Sequence, residues 1–255
     1  MRRAALFAAL VPVSFPGPGG LTLTGRLAAA HGAGRHPAMV LLHGCSGFFG
    51  DDGSVQSHIA RWLRVLSRHG VTALAVDSFT PRGAKDVCNT PPSQSGVNEV
   101  TDRVRDAFAA LTWLRSRKDV AGSRVGVLGW SNGGSTVLSA VGRSGPIPLP
   151  AGGGFRLGVA YYPGCGLRNA FGSPSSGRYR PRVRLDVFSA GRDPLTPDCR
   201  ARARTAHSKL LSLRVFPGAH HTFDNASVGT ARSDTRARTT ADRTALALIR
   251  RVLKP

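Results

Sequence analysis

Short apolar runs alternate with amphipathic stretches along the whole chain. Residues 11–15 (VPVSF) and 21–27 (LTLTGRL) are apolar at every second position, the period of a strand with one face covered. The second reads as a half-exposed edge strand. Residues 38–42 (AMVLL) are apolar throughout and end at His43-Gly44, as a strand buried on both faces does. Ser54 is placed to cap a helix over residues 55–68, where Ile59, Trp62, Leu63 and Leu66 share one face and Gly70 marks the stop. A strand over 71–76 follows, then a polar, proline-containing loop over 78–95. Loops that long in compact domains often carry function. The pattern next predicts a helix over 96–117, with Val100, Val104, Phe108, Leu111 and Leu114 at helical spacing. A strand over 123–128 and a helix of small residues over 132–141 come after it. Strands over 156–162 and 183–189, a short helix over 197–209 and a strand over 213–216 lead to a last helix over 234–253. There Ala241, Ala245, Leu248, Ile249 and Val252 face inward. Such alternation specifies an α/β architecture with a mainly parallel central sheet. Residues 145–154 and 171–181 read as loops rather than linkers, so residues 11–255 are expected to form one domain.

Charge changes this picture little. Thirty-five Lys and Arg oppose fourteen Asp and Glu, for a net +21, and only Lys85, Lys118, Lys209 and Lys254 are lysines. The arginines are scattered, and aromatics make up 7%, which argues against nucleic acid as a partner and for a basic solvated surface. No stretch approaches the roughly 20 apolar residues of a membrane span. The oligomeric state is left open. Residues 1–10 begin Met-Arg-Arg and continue apolar, like a short signal segment. Such a segment would place the protein in the periplasm or outside the cell, and its failure to act would leave it in the cytoplasm. The four cysteines, Cys45, Cys88, Cys165 and Cys199, have no CxxC spacing, so neither a zinc site nor a redox motif is expected. No metal and no cofactor is called for.

The chemistry enters at Gly129-Trp130-Ser131-Asn132-Gly133. This G-x-S-x-G follows an apolar strand and opens a helix, the setting of a nucleophile elbow. The turn strains the serine backbone, and glycines two residues on either side relieve the crowding. Ser131 is the candidate nucleophile. The helix N-terminus beside it favours developing negative charge. An oxyanion hole needs two backbone N–H groups. Asn132, next after the nucleophile, supplies one, and Cys45 in the loop after residues 38–42 supplies the other. His43 is read as ordering that loop, and Cys45 lacks both the elbow and the base that a nucleophile requires. The fold's order of serine, acid, then histidine points to Asp193, just past a strand end, ahead of Asp198, which suits a helix start better. The base is His220 or His221, adjacent residues that point different ways.

Taken in order, the segments LLHGCSG, VDSFTPRG, GWSNGG, AYYPGC, GRDPLTP and PGAHHTF resemble the dienelactone hydrolase family, from about Val11 onward. The resemblance implies the α/β-hydrolase fold, a mainly parallel central sheet with helices on both faces. It also implies cleavage of carboxylic esters or lactones, a small-molecule substrate. In the family the base stands two residues before a phenylalanine, which selects His221 ahead of Phe223. The chain departs from the pattern in having Ser131 where the family has cysteine, Gly44 in place of a glutamate, and Asn225 in place of a substrate-holding arginine. Arg82 matches a second such arginine. With Phe79 and Trp130, it is expected to contact substrate. Loops 78–95 and 164–181, with Phe79, Val87, Leu167 and Phe171, are expected to line a pocket for short soluble esters, and Arg82 and Arg168 to favour a carboxylate. A peptidase of the same fold and a non-catalytic polyanion binder are the competing readings. The length leaves no room for an added propeller domain, and the complete triad speaks against the second. Cys165 and Cys199 each follow a strand at the end where the catalytic loops gather, so an exported protein should bridge them, with Cys45–Cys88 as the second pair.

Overall fold

Alternation of apolar side chains along the strands, read against the helices that cover them, determines how the molecule is layered. The computed structural model describes residues 9–90, 94, 96–165, 179–195, 199–200, 204, 208–225 and 231–255. Eight strands form one sheet: β1 (Val11–Pro16), β2 (Thr22–Ala28), β3 (His36–Leu42), β4 (Thr72–Asp77), β5 (Val120–Trp130), β6 (Leu157–Tyr161), β7 (Arg184–Ala190) and β8 (Leu211–Phe216). Their order is β1-β2-β4-β3-β5-β6-β7-β8. β1 and β2 are antiparallel to each other, as are β2 and β4, and every later pairing is parallel.

Helices α1 (Ser57–Arg68), α2 (Asp102–Ser116), α3 (Asn132–Val141) and α4 (Arg232–Leu253) cover both faces. Within β3, Val40 and Leu42 pack with Val104 and Leu111 of α2 and Leu138 of α3. Met39 and Leu41 pack on the other face with Trp62 and Leu63 of α1 and Ala245 and Ile249 of α4. A strand buried on both faces can be apolar throughout, which is why residues 38–42 are.

Three local expectations are corrected. β2 is not an edge strand, because β1 pairs with it in register from Val11–Leu27 to Pro16–Thr22 and takes the edge itself. Ser54 does not cap α1. Its amide and hydroxyl both donate to Asp52 Oδ1, at 2.9 and 2.7 Å, and the helix begins at Ser57. α2 begins at Asp102 rather than near residue 96. Asn98 Oδ1 accepts from the amides of Val100 and Thr101, and Asp102 Oδ2 accepts from the Asn98 amide at 2.9 Å. Side-chain acceptors here hold the backbone in a turn that competes with helix. The helix expected over 197–209 falls mostly outside the described residues.

β3 lies between β4 and β5, so successive crossovers leave it in opposite directions. A crevice opens at the C-terminal strand ends where such a sheet reverses order, and it is there that open α/β sheets bind ligands.

Candidate active site

β5 ends at Trp130, and Ser131 turns the chain into α3 at φ 51° and ψ −116°, a conformation that costs a non-glycine residue about 1–3 kcal/mol. The flanking glycines make the turn possible. A Cβ on Gly129 would sit 2.2 Å from the Gly133 carbonyl oxygen, and one on Gly133 would sit 2.2 Å from the Leu42 carbonyl oxygen. The Ser131 amide donates to Tyr161 of β6 at 2.9 Å, and its carbonyl accepts from Ser135 at 2.9 Å. The elbow is thereby pinned to the sheet on one side and the helix on the other.

The loop after β8 brings His221 to this serine. Its Nε2 lies 2.9 Å from Ser131 Oγ, and its Nδ1 lies 2.6 Å from Asp193 Oδ2. An ionised carboxylate can only accept, so Nδ1 carries the proton and Nε2 is left to accept from the serine hydroxyl. Asp193 is buried, and its other oxygen accepts from the Leu195 amide at 2.8 Å. Two backbone bonds hold the acid and base loops together: Gly191 N–H to Phe216 C=O at 2.8 Å and Arg192 N–H to Ala219 C=O at 2.9 Å. His220 points elsewhere. Its amide and Nδ1 both meet Asp234, at 2.8 and 3.2 Å. Asp198 lies outside the described residues.

Asn132 is the first residue of α3, where an amide has no acceptor within the helix. Cys45 faces it across the hollow in front of Ser131. The Cys45 carbonyl accepts from Val87 at 2.9 Å, and a disulfide joins Cys45 to Cys88 across a Cα separation of 4.8 Å. A second disulfide joins Cys165 to Cys199, Cα atoms 5.0 Å apart. Both pairings are those expected. His43 is structural: its Nε2 accepts from the Ser78 amide at 3.3 Å while Nδ1 donates to Gly44 at 2.7 Å. Burial, and then the charge of Arg103, push its pKa well below the usual histidine value.

Two hollows of about 240 and 320 Å³ flank the nucleophile and share Cys45, Cys88, Ser131, Leu195 and His221. The smaller reaches Val87 and Glu99, and the larger reaches His58, Trp130 and Tyr162. Leu195 is 68% exposed, an apolar lip common to both. Of the expected substrate contacts, Trp130 and Val87 line a hollow. Arg82 and Phe79 do not. Arg82 forks onto Asp106, with both bonds at 2.8 Å, and donates to the Ser78 carbonyl, so its guanidinium is engaged with the fold. Phe79 is buried against His43, ring centroids 4.4 Å apart. Leu167, Arg168 and Phe171 lie outside the described residues.

Sequence reasoning missed two parts of the site. Behind His221 stands Tyr162, ring centroids 4.7 Å apart, whose hydroxyl donates to Asp224. Asp224 also accepts from Trp130 Nε1 at 2.7 Å, and burial raises its carboxyl pKa. The other is Arg103, wholly buried, which donates to Asn132 Oδ1 and, at 2.8 Å, to the His43 carbonyl. A signal for Arg103 was available, since it falls at core spacing with buried Val104 and Ala107 on the covered face of α2 and with Val100 just ahead of it.

Residues 23–253 match the sequence model of the dienelactone hydrolase family. A Bradyrhizobium protein described as "Probable 2-oxo-3-(5-oxofuran-2-ylidene)propanoate lactonase" is 28% identical over 109 residues, 42% of this chain and 41% of that protein. Among solved structures, a dienelactone hydrolase-like promiscuous phosphotriesterase from metagenomic libraries superposes with a TM-score of 0.66 at 20% identity, covering 96% of this chain and 99% of that one. Thermogutta terrifontis esterase 2 with propionate bound gives 0.63 at 16% identity, covering 97% of each chain. The same esterase phosphorylated by paraoxon gives 0.64 at 15% identity, again covering 97% of each chain. At these identities the solved structures speak to the fold.

Proposed function

The chain belongs to the dienelactone hydrolase family, and on that premise we propose that it hydrolyses carboxylic esters or lactones through an acyl-enzyme on Ser131. The observation that carries this is the continuous chain from Asp193 Oδ2 to His221 to Ser131 Oγ, ending on a strained serine at a helix N-terminus. His221 Nε2 takes the serine proton as Oγ attacks the acyl carbon. Negative charge gathers on the former carbonyl oxygen, where the Asn132 and Cys45 amides receive it. The C–O bond to the alcohol then breaks, and the alcohol leaves with the proton from His221. A water molecule, deprotonated by the same nitrogen, attacks the acyl carbon, the bond to Ser131 Oγ breaks, and the proton passes from His221 back to Oγ as the acid is released. Asp193 keeps the imidazole in the required tautomer and orientation throughout.

The hollows suit a small, uncharged acyl group. Beyond the triad, the ionisable side chains lining them among the described residues are Glu99, Tyr162 and a buried, neutral His58, with no arginine or lysine. A substrate carboxylate would meet no arginine or lysine among those described residues. On p-nitrophenyl esters, kcat/KM should peak at about two to four acyl carbons and fall beyond about eight, as methylenes outgrow the site. A maximum at twelve or more carbons contradicts the small-site reading. A fluorophosphonate should label Ser131, mapped by peptide mass. Ser131→Ala and His221→Ala should each lower kcat by about four orders of magnitude or more, and Asp193→Asn by about four. His220→Ala should stay within about tenfold of wild type, an estimate that follows from its place outside the triad. An inactive His220→Ala beside an active His221→Ala would reverse the assignment of the base.

A further inference from the structure

We propose that Arg103 is the positioning residue of the oxyanion hole, setting the separation of its two amide donors and placing a fixed positive charge behind them; this rests on the acyl-enzyme reading above. The two donors come from different parts of the chain. Cys45 follows β3, and Asn132 follows β5. The two strands are parallel neighbours, with Leu42 opposite Gly129 as their last pair. Beyond that pair the ladder ends and leaves a gap in backbone hydrogen bonding between the loops, although they stay in contact, a Cβ on Gly133 falling 2.4 Å from the His43 carbonyl oxygen. Arg103 spans the gap. One guanidinium nitrogen donates to Asn132 Oδ1 and the other, at 2.8 Å, to the His43 carbonyl. A planar guanidinium holds its donors in a rigid fork, so two acceptors gripped at once cannot drift independently. The face of the group lies over the Phe79 ring, 5.0 Å from its centroid, and the side chain is fully buried.

A leucine or methionine would fill this volume without the desolvation cost of a buried charge, and such replacements often stabilise proteins. Burial lowers the arginine pKa to about 10, against the pull of Asp106, Glu99 and Asp77, and the group remains cationic at neutral pH. Neither of its two gripped acceptors is a carboxylate, so the cation is not there to complete a close ion pair. One grip falls on the side chain of a donor residue, Asn132, and the other on His43, two residues before Cys45. An oxyanion forming between the amides would meet a preorganised positive charge in a site of low dielectric, where such charges act most strongly.

The test combines Arg103→Met, Arg103→Lys and Asn132→Ala, with active sites counted by the p-nitrophenol burst from paraoxon. Per titrated site, Arg103→Met should lose about 30- to 300-fold in kcat, below or near the loss of a full donor, with KM within about threefold. Arg103→Lys, a point charge that cannot fork, should fall between Met and wild type. The inhibition constant of a trifluoromethyl ketone, whose Ser131 adduct carries the oxyanion, should rise in step with the loss in kcat/KM. That of a ground-state amide analogue should stay put. A merely structural role would lower the number of titrated sites or move both constants together. Asn132→Ala keeps the amide donor but removes one grip, and should lower kcat by about tenfold. The Arg103→Met/Asn132→Ala pair should cost less than the product of the single losses. Arg103→Met with kcat within threefold of wild type, or with both inhibition constants shifted equally, would overturn the proposal. If Arg103→Met does not fold, Asn132→Ala at wild-type kcat would overturn it instead. A wild-type protein giving no burst and no turnover would overturn the hydrolase reading and this one with it, whereas normal wild-type turnover beside an unimpaired Arg103→Met defeats this one alone.

Discussion

His58 sits on α1 with its ring edge-on to Trp130, centroids 4.9 Å apart, and its Nδ1 has no hydrogen-bond partner among the described residues. Burial, and then the nearby charge of Arg61, bring its pKa down to about 3. In the unfolded chain the same imidazole titrates near 6.5. Between these values the unfolded chain holds a proton that the folded protein refuses, so the neutral ring's contribution to stability is complete above pH 6.5 and is lost as pH falls toward 3. His58→Gln removes that proton. From urea unfolding at pH 4 to 6, the variant should show a slope of stability against pH shallower than wild type by up to about 1.4 kcal/mol per unit. Equal slopes would mean that His58 is not held neutral. Residues of this kind mark the limit of what the sequence discloses. The contact of Ser131, Asp193 and His221 was legible because each sits in a motif that the proposed chemistry demands. His58, Asp224 and Arg103 do their work through burial, and burial of a polar side chain is decided by distant segments. Arg103 at least interrupts an apolar stripe. Asp224, three residues past His221, carries no local mark of its bonds to Trp130 and Tyr162.

At the scale of elements, the two disulfides tie loops to the body of the fold, with Cys165 and Cys199 buried in the same cluster as Val40 and Leu138. Cys45–Cys88 closes 43 residues and ties the loop after β3 to the segment beyond β4, and Cys165–Cys199 closes 34. On the chain-entropy account each constrains the unfolded chain by about 4 kcal/mol. Reduction should lower the melting temperature. It should also lower kcat well below melting, because the Cys45 amide loses its covalent tether. Alanine at Cys165 and Cys199 should affect stability and leave kcat closer to wild type than alanine at Cys45 and Cys88 does. Equal kcat losses in the two double variants would contradict this. Element type was readable throughout the described chain, since helical and strand periods differ. Element ends were not, because they depended on Asn98, Asp102 and Asp52 choosing local acceptors or donors over the helix. The edge position of β2 was misread for a related reason. Alternation reports which face of a strand is covered and says nothing about whether a neighbour lies beside it, as β1 does.

For the whole molecule, part of the surplus charge lies on the exposed face of one helix. On α4 the outer face carries Arg232, Arg236, Arg243, Arg250 and Arg251, with exposed Lys254 just past its end, while Asp234 turns inward to His220 and Asp242 to Tyr161 and Arg61. The proposed catalytic groups are unevenly seated. Ser131 hangs from β5, which has a strand on either side, whereas His221 hangs from half-buried β8, the last strand of the sheet, paired among the described residues only with β7. Proteins open first where few contacts hold the backbone, at free energies below that of global unfolding. In a urea titration, hydrolysis should therefore fade at a lower concentration than far-UV ellipticity, and the paraoxon burst should fade with it. Coincident midpoints would show β8 held as firmly as the centre of the sheet. The working lifetime of such a catalyst is set by the grip of one outer strand on its single neighbour, so reinforcing the β7–β8 seam should prolong activity even where it leaves the melting temperature unmoved.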